Sequence, residues 1–359
     1  MDENLPVIRI SVRNLVEFIL REGDIDNRTG GGQDPENMQM GSRIHRKIQR
    51  QMGSDYQAEV PLKTEIVCDG FTLKIEGRAD GLIHTKEQVM VDEIKGVLRE
   101  LDRVQEPAGI HLAQAKCYAS MVAEQEGVDE IGVQMTYCQM ETEEVKRFQY
   151  SYQSNELKVW FDEVIRQYEK WAKFQIEWRK ARNASIKGIE FPFPYRKGQR
   201  ELAVSVYRTI LRKKKLFIQA PTGVGKTIST VFPAVKAVGE ELGEKIFYLT
   251  AKTITRTVAE QAFETLREQN LKFKVITLTA KEKICFCEET SCNPDDCPYA
   301  KGHFDRVNDA VYDLITTEED FTRERMLAQA EQIAAQNEIA PYERFTVIET
   351  DEGYGIWDD

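Results

Sequence analysis

Two periods of apolar spacing divide the first half of the chain into helices and strands. After Ser11, a residue suited to cap a helix, Leu15, Phe18 and Ile19 recur at helical spacing. A glycine-rich loop follows at Thr29-Gly30-Gly31-Gly32, and a second helix is predicted from about Ser42 to Met52. Phe71, Leu73 and Ile75 then alternate with polar residues, and Val89-Met90-Val91 form a short apolar run. These predict two strands flanking a turn near Lys86-Glu87. Helices are predicted around His111–Glu124 and Ser154–Arg182. In the latter, Leu157, Phe161, Val164, Tyr168, Trp171 and Trp178 fall on one stripe, which reads as packing rather than as a base-stacking platform.

The pattern breaks at Gly188–Pro194, where Pro192 and Pro194 disfavour helix. Beyond it the order is strand, loop, helix, strand, helix: Leu216–Gln219, a glycine loop, Ile228–Val238, Lys245–Thr250 and Ile254–Leu266. Such alternation predicts a parallel α/β sheet. The expected organisation is therefore an α/β domain over residues 1–184, a linker over 185–194 and a second α/β domain over 195–359. No internal repeat is visible.

Composition narrows the class. The 359 residues are 41% hydrophobic and 30% charged, which suits a soluble globular protein and excludes a mainly disordered one. No apolar run is long enough to span a bilayer, and the acidic Met1-Asp2-Glu3 start is not that of a secretory signal, so a cytoplasmic location is expected. The net charge is −11, yet 16 Lys and Arg stand against 7 Asp and Glu between Arg196 and Val275. A basic segment in an acidic chain is a candidate phosphate-binding surface.

Chemistry appears first in Ala220-Pro221-Thr222-Gly223-Val224-Gly225-Lys226-Thr227. Backbone N–H groups of such a loop, Gly223 and Gly225 among them, wrap phosphates at a helix N-terminus. Lys226 would neutralise the β- and γ-phosphates of ATP, and the Thr227 hydroxyl would hold Mg²⁺. Ala220 stands where the common loop has its first glycine. The wording resembles superfamily 2 helicases. That resemblance extends upstream to Tyr195-Arg196-Lys197-Gly198-Gln199, where Gln199 would read adenine. It extends downstream to Tyr248–Thr253, where Thr250, Lys252 and Thr253 would contact single-stranded DNA.

Of seven cysteines, Cys285, Cys287, Cys292 and Cys297 lie within one polar stretch. Clustered thiolates in a chain without a secretory signal read as a metal site, and their spacing suits either zinc or an iron–sulfur cluster. Cys68, Cys117 and Cys138 are dispersed and read as core thiols. The cluster's place after the phosphate loop, and the Pro298–Arg306 stretch behind it, resemble helicases of the XPD/DinG type. The resemblance implies a 4Fe–4S cluster, with zinc as the lesser alternative and His303 as a substitute for Cys285.

The first half carries its own constellation. Asp80 ends one predicted strand, and Glu93 and Lys95 end the next, two apart and so on one face. Two carboxylates can bind Mg²⁺ or Mn²⁺, and Lys95 can stabilise developing charge. With Gly41-Ser42-Arg43-Ile44-His45 before them and Gln114-Ala115-Lys116-Cys117-Tyr118 after, the order resembles the RecB-like branch of the PD-(D/E)XK nucleases. That implies a restriction-endonuclease-like α/β domain in which His45, Asp80 and Glu93 bind metal and Lys95 is catalytic. Gln114 and Tyr118 would organise the site or contact DNA.

Joined, the two resemblances imply a metal-dependent DNA nuclease fused to the first part of a 5′–3′ DNA helicase. Its RecA-like domain would be partial, with the cysteine segment inserted near residues 285–297. The second motor lobe is expected only in a longer protein. No Asp-Glu-x-His motif follows the phosphate loop, and Asp351-Glu352 is the nearest substitute. Single-stranded or forked DNA is the expected partner. Two other readings remain open: an inactive DNA- and ATP-binding remnant, and a zinc-stabilised P-loop ATPase acting on RNA or protein.

Overall fold

The computed structural model describes residues 5–28, 35–221, 223–250, 253–287, 290–337, 339, 346–350 and 353–357. In chain order the elements are β1 (Val7–Ser11), α1 (Val12–Ile19), α2 (Pro35–Gln51), β2 (Tyr56–Cys68), β3 (Phe71–His84), β4 (Val89–Val97), α3 (Gly109–Glu126), β5 (Glu130–Gln139), β6 (Val145–Gln153) and α4 (Ser154–Gly188). There follow α5 (Gln199–Leu211), α6 (Lys226–Gly239), α7 (Thr253–Arg267), β7 (Val275–Ile276), α8 (Lys281–Ile284), α9 (His303–Thr317), β8 (Asp320–Phe321), α10 (Arg323–Gln336) and an antiparallel ribbon of β9 (Thr346–Thr350) and β10 (Gly353–Trp357). The chain is mixed α/β. Among the described residues no helix is long and apolar enough to cross a membrane.

Two compact units emerge, one of residues 1–173, 279–313 and 327–359, the other of 174–278 and 314–326. Helix α4 runs unbroken through residue 184, where the first domain was expected to end, and stops at Gly188, where the sequence pattern breaks.

The first unit is built on a six-stranded sheet of order β1-β3-β4-β5-β6, with β2 also paired to β3. β1 lies parallel to β3 and β4 parallel to β5, while β2–β3, β3–β4 and β5–β6 are antiparallel. Phe71, Leu73 and Ile75 of β3 are all buried, as their alternation predicts. Ser11 caps α1 by accepting from the Asn14 amide at 3.1 Å, and Val12, Leu15 and Val16 bury that helix's inner face. From α4, Leu157, Phe161, Val164, Tyr168 and Trp171 are buried, with Phe18 edge-on to Trp171 at 4.7 Å. That stripe is therefore packing as far as Trp171, while Trp178 is only half-buried and lies in the second unit.

Strands β1, β2, β5 and β6 and helix α5 fall outside the elements that the sequence predicts. β5 shows why: nine of its ten positions are buried, so its two faces do not alternate. Cys117 and Cys138 are buried, whereas Cys68 is only half-buried at the end of β2.

The cysteine-bearing segment belongs to this unit. The Ile25 amide donates to Ala300 O at 3.0 Å, the Phe304 amide to Gly23 O at 2.9 Å, and Arg28 pairs with Asp295 at 2.7 Å.

In the second unit, Ile228, Val231, Val235 and Val238 of α6 pack with Phe263 and Leu266 of α7 and with Ile186 and Ile189. The parallel sheet expected here is corrected. Helices α6 and α7 form where expected, but residues 216–219 and 245–250 are not in strands. The parallel pairing in this unit is the two-residue ladder of β7 with β8. A strand exists only through the ladder it shares with a neighbour. Phe217 is 93% exposed and Leu249 89%, and no described strand lies beside either.

Candidate functional site

One pocket of about 350 Å³ in the first unit gathers His45, Asp80, Glu93, Lys95 and Gln114, together with Arg13, Val16, Glu17, Ile110 and His111. The side chains converge from five elements. His45 comes from α2, Asp80 from β3, Glu93 and Lys95 from β4, His111 and Gln114 from α3, and Arg13 and Glu17 from α1. Strand register sets the centre. The β3–β4 ladder ends at the pair Gly81–Asp92, and Asp80 and Glu93 stand immediately beyond it. There the Asp80 Oδ2 accepts the Ile94 amide at 2.7 Å, so a side chain takes the amide that a strand would otherwise have paired.

The contacts are specific. His45 Nδ1 lies 3.1 Å from Asp80 Oδ1, Lys95 Nζ lies 2.8 Å from Glu93 Oε1, and Lys95 Nζ donates to Gln114 Oε1 at 3.1 Å. Tyr118, one helical turn beyond Gln114, is buried against β3. A Cβ on Gly77 would come within 2.7 Å of its hydroxyl, so only glycine leaves the ring its place. Asp92 points to the opposite face, where Thr136 Oγ1 at 2.6 Å, Gln134 Nε2 at 3.1 Å and the Tyr56 hydroxyl at 3.1 Å donate to it. It is a satisfied buried carboxylate outside the pocket.

Burial pushes Glu93 up to about 7, reinforced by the Asp80 charge and opposed by Lys95 and His45. Its Oε2 is buried with no hydrogen-bond partner among the described atoms. Burial disfavours the protonated form of His45, but the hydrogen bond and charge of Asp80 outweigh it, and its pKa is raised. Burial pushes the Tyr118 hydroxyl up to about 12, with the Glu93 charge acting in the same direction.

Two carboxylates are hard oxygen donors that suit Mg²⁺ or Mn²⁺, the imidazole is a borderline donor that Mn²⁺ accepts more readily than Mg²⁺, and Glu93 Oε2 has no hydrogen-bond partner among the described atoms. In that sense the residues fit such an ion. Asp80 Oδ1 meets His45 and Glu93 Oε1 meets Lys95, so these side chains now engage one another. Among the described residues no three His, Cys, Asp or Glu side chains are gathered closely enough to hold a metal. The cysteines fall under the same statement. Cys287 Sγ lies 3.7 Å from Cys297 Sγ and also interacts with the Cys285 thiol, but among the described residues no full metal-holding set is gathered. His303 packs edge-on against Phe304 at 5.1 Å.

In the second unit, α6 begins at Lys226, directly after Gly225 at φ 74° and two residues after Gly223 at φ 81°. Both glycines occupy the left-handed region, which turns the chain tightly into the helix N-terminus. Lys226 Nζ donates to Ala220 O and Pro221 O, each at 2.9 Å, and Arg196 donates to Gly223 O at 2.6 Å. Gln199 is buried beneath the loop, its Oε1 accepting the Arg196 amide at 3.0 Å. Its Nε2 is so near Gly225 that a Cβ there would lie 2.5 Å away. Thr227 is the second residue of α6, and its carbonyl accepts from Thr230 Oγ1 at 2.9 Å. Thr250 is exposed, and α7 starts at Thr253. Thr222, Lys252, Asp351 and Glu352 lie outside the described residues.

Arg13, Glu17 and His111 line the pocket without having been singled out in the sequence. Arg13 and Glu17 form an i,i+4 ion pair of 2.7 Å, which in a sequence looks like any solvated helix face. His111 stands three residues before Gln114, a spacing that puts both on one face of a helix and was available as a signal.

Residues 200–288 match the family model for DEAD/DEAH box helicases. The chain is 31% identical over 121 residues to the probable ATP-dependent helicase MJ0942 of Methanocaldococcus jannaschii, an alignment covering 33% of this chain and 18% of that protein. The chain thus spans under a fifth of the length of this curated relative. Among solved structures, that of SSO0001 aligns with 49% of this chain and 78% of its own at 18% identity and a TM-score of 0.33.

Proposed function

We propose that the chain is a DNA-processing enzyme in which a metal-dependent DNA nuclease, residues 1–184, is joined to an ATP-binding segment of a superfamily 2 DNA helicase, residues 195–359. The observation that carries the nuclease reading is the convergence of His45, Asp80, Glu93, Lys95 and Gln114 on one pocket. The match of residues 200–288 to the DEAD/DEAH box helicases supports the helicase half. Within that half the finer reading is the XPD/DinG type with 5′–3′ polarity, single-stranded or forked DNA as substrate, and a 4Fe–4S cluster on the four cysteines.

In the nuclease, His45, Asp80 and Glu93 would hold Mg²⁺ or Mn²⁺. Such an ion polarises a phosphate and acidifies bound water. Lys95 presents its ammonium to the pocket, held from two sides by Glu93 and Gln114, and stabilises charge developing on the phosphate. Gln114 orients Lys95, and Tyr118, which hydrogen-bonds Gln114, helps organise the site. In the helicase half, the loop amides and Lys226 would receive the phosphates of ATP, and Thr227 would hold its Mg²⁺.

The test is cleavage of end-labelled single-stranded DNA with Mn²⁺ by the wild type and by Lys95→Ala. Wild-type cleavage that the substitution abolishes supports the nuclease. DNA that is bound but cut by neither protein overturns it. Visible absorbance near 400 nm from an anaerobic preparation supports the cluster, and stoichiometric zinc replaces it.

A further inference from the structure

Resting on the nuclease reading, we propose that His111 is a substrate-binding residue of the pocket, donating a hydrogen bond from Nε2–H to a phosphate oxygen of single-stranded DNA. Tyr137 is wholly buried, and its hydroxyl accepts the Ala108 amide at 3.0 Å. A buried hydroxyl must also place its own proton. His111 Nδ1, 2.9 Å away, is the acceptor that the described contacts offer it. A ring that accepts at Nδ1 carries its proton on Nε2. With Nδ1 engaged by Tyr137, the nitrogen left for the pocket is therefore a donor.

Two further observations make that donor useful to an anion. His111 lies in the first turn of the 18-residue helix α3, whose N-terminal dipole favours negative charge beside it. The pocket also holds the carboxylates of Glu17, Asp80 and Glu93, so a phosphodiester entering it needs donors of fixed direction. Lys95 is one, already committed to Glu93 and Gln114, and His111 supplies a second from the same helix face as Gln114. Burial, with Lys95, Arg99 and Arg13 around it, also holds the ring neutral at physiological pH, so the donor persists without a charge that would repel Lys95.

The test uses the full chain with fluorescein-labelled hexathymidylate in Ca²⁺, so that binding is read without cleavage. His111→Leu is expected to weaken binding about tenfold, the scale of one charge-assisted hydrogen bond. His111→Gln, whose amide nitrogen can stand near the Nε2 position, is expected to stay within about threefold, and this serves as the readout if the leucine variant does not fold. Tyr137→Phe should weaken binding in the wild-type background and leave His111→Gln unaffected, because it acts only through the tautomer. Long-range nitrogen–proton spectra of histidine-labelled protein should show His111 as the Nε2–H form and move when hexathymidylate is added. An Nδ1–H tautomer, equal binding by His111→Leu and wild type, or no binding by the wild type overturns the proposal. Absence of Mn²⁺ cleavage alongside intact, His111-dependent binding overturns the nuclease reading instead.

Discussion

Lys95 Nζ stands 2.8 Å from Glu93 Oε1, two residues before it on β4, while the other Glu93 oxygen is buried with no hydrogen-bond partner among the described atoms. The carboxylate anchors the ammonium through one oxygen and leaves the other without a partner among the described atoms. A half-satisfied buried carboxylate costs stability, a cost that the proposed metal ion would relieve.

Glu93→Gln is expected to reduce Mn²⁺-dependent cleavage at least about a hundredfold. It should also change the pH dependence of stability in EDTA. In the folded protein Glu93 titrates near 7 instead of its ordinary 4.5, so folding favours the protonated acid. Its contribution is complete below the unfolded value and is lost as pH rises through about 7, by up to about 3 kcal/mol. Thermal unfolding of wild type should therefore weaken between pH 5 and about pH 8 by more than that of Glu93→Gln.

Lys95→Ala should lower the cleavage rate by about two to three orders of magnitude while hexathymidylate binding falls less than about tenfold. A lysine that served only to bind DNA would show the reverse, a change in KM with kcat retained. Single-turnover and steady-state kinetics separate the two.

His111 contributes with the opposite sign from Glu93. Burial, with the positive charges of Lys95, Arg99 and Arg13, lowers its pKa to about 4 from 6.5. The ring is neutral in both states above 6.5, and as pH falls towards 4 only the unfolded chain takes the proton, so stability is lost on acidification. His111→Gln should flatten the stability profile over that interval by about 3 kcal/mol at most, measured by denaturant unfolding.

Gly225→Ala should weaken nucleotide binding, read with a fluorescent ATP analogue, by more than about tenfold. The position has φ 74°, and the added Cβ would lie 2.5 Å from Gln199 Nε2. Mn²⁺ cleavage of DNA should be unchanged in this variant. Loss of both activities would mean that the substitution unfolds the chain.

The sequence by itself determined the local elements whose period is visible in a short window. Ser11 and the Leu15–Ile19 spacing specified α1, and the alternation at Phe71, Leu73 and Ile75 specified β3. The two-residue step from Glu93 to Lys95 already put both side chains on one strand face. Tertiary structure alone decided that Asp80 and Glu93 line one pocket, because that depends on the β3–β4 register and on where its ladder stops. It alone brought His111 to Tyr137 across 26 residues, the contact on which the proposed tautomer of the ring rests. It hid β5, whose faces are buried alike, and it withheld strands from residues 216–219 and 245–250 despite their apolar runs. The reason is common to these cases: period is a property of one segment, whereas a ladder, a register or a hydrogen-bond proton belongs to two segments at once.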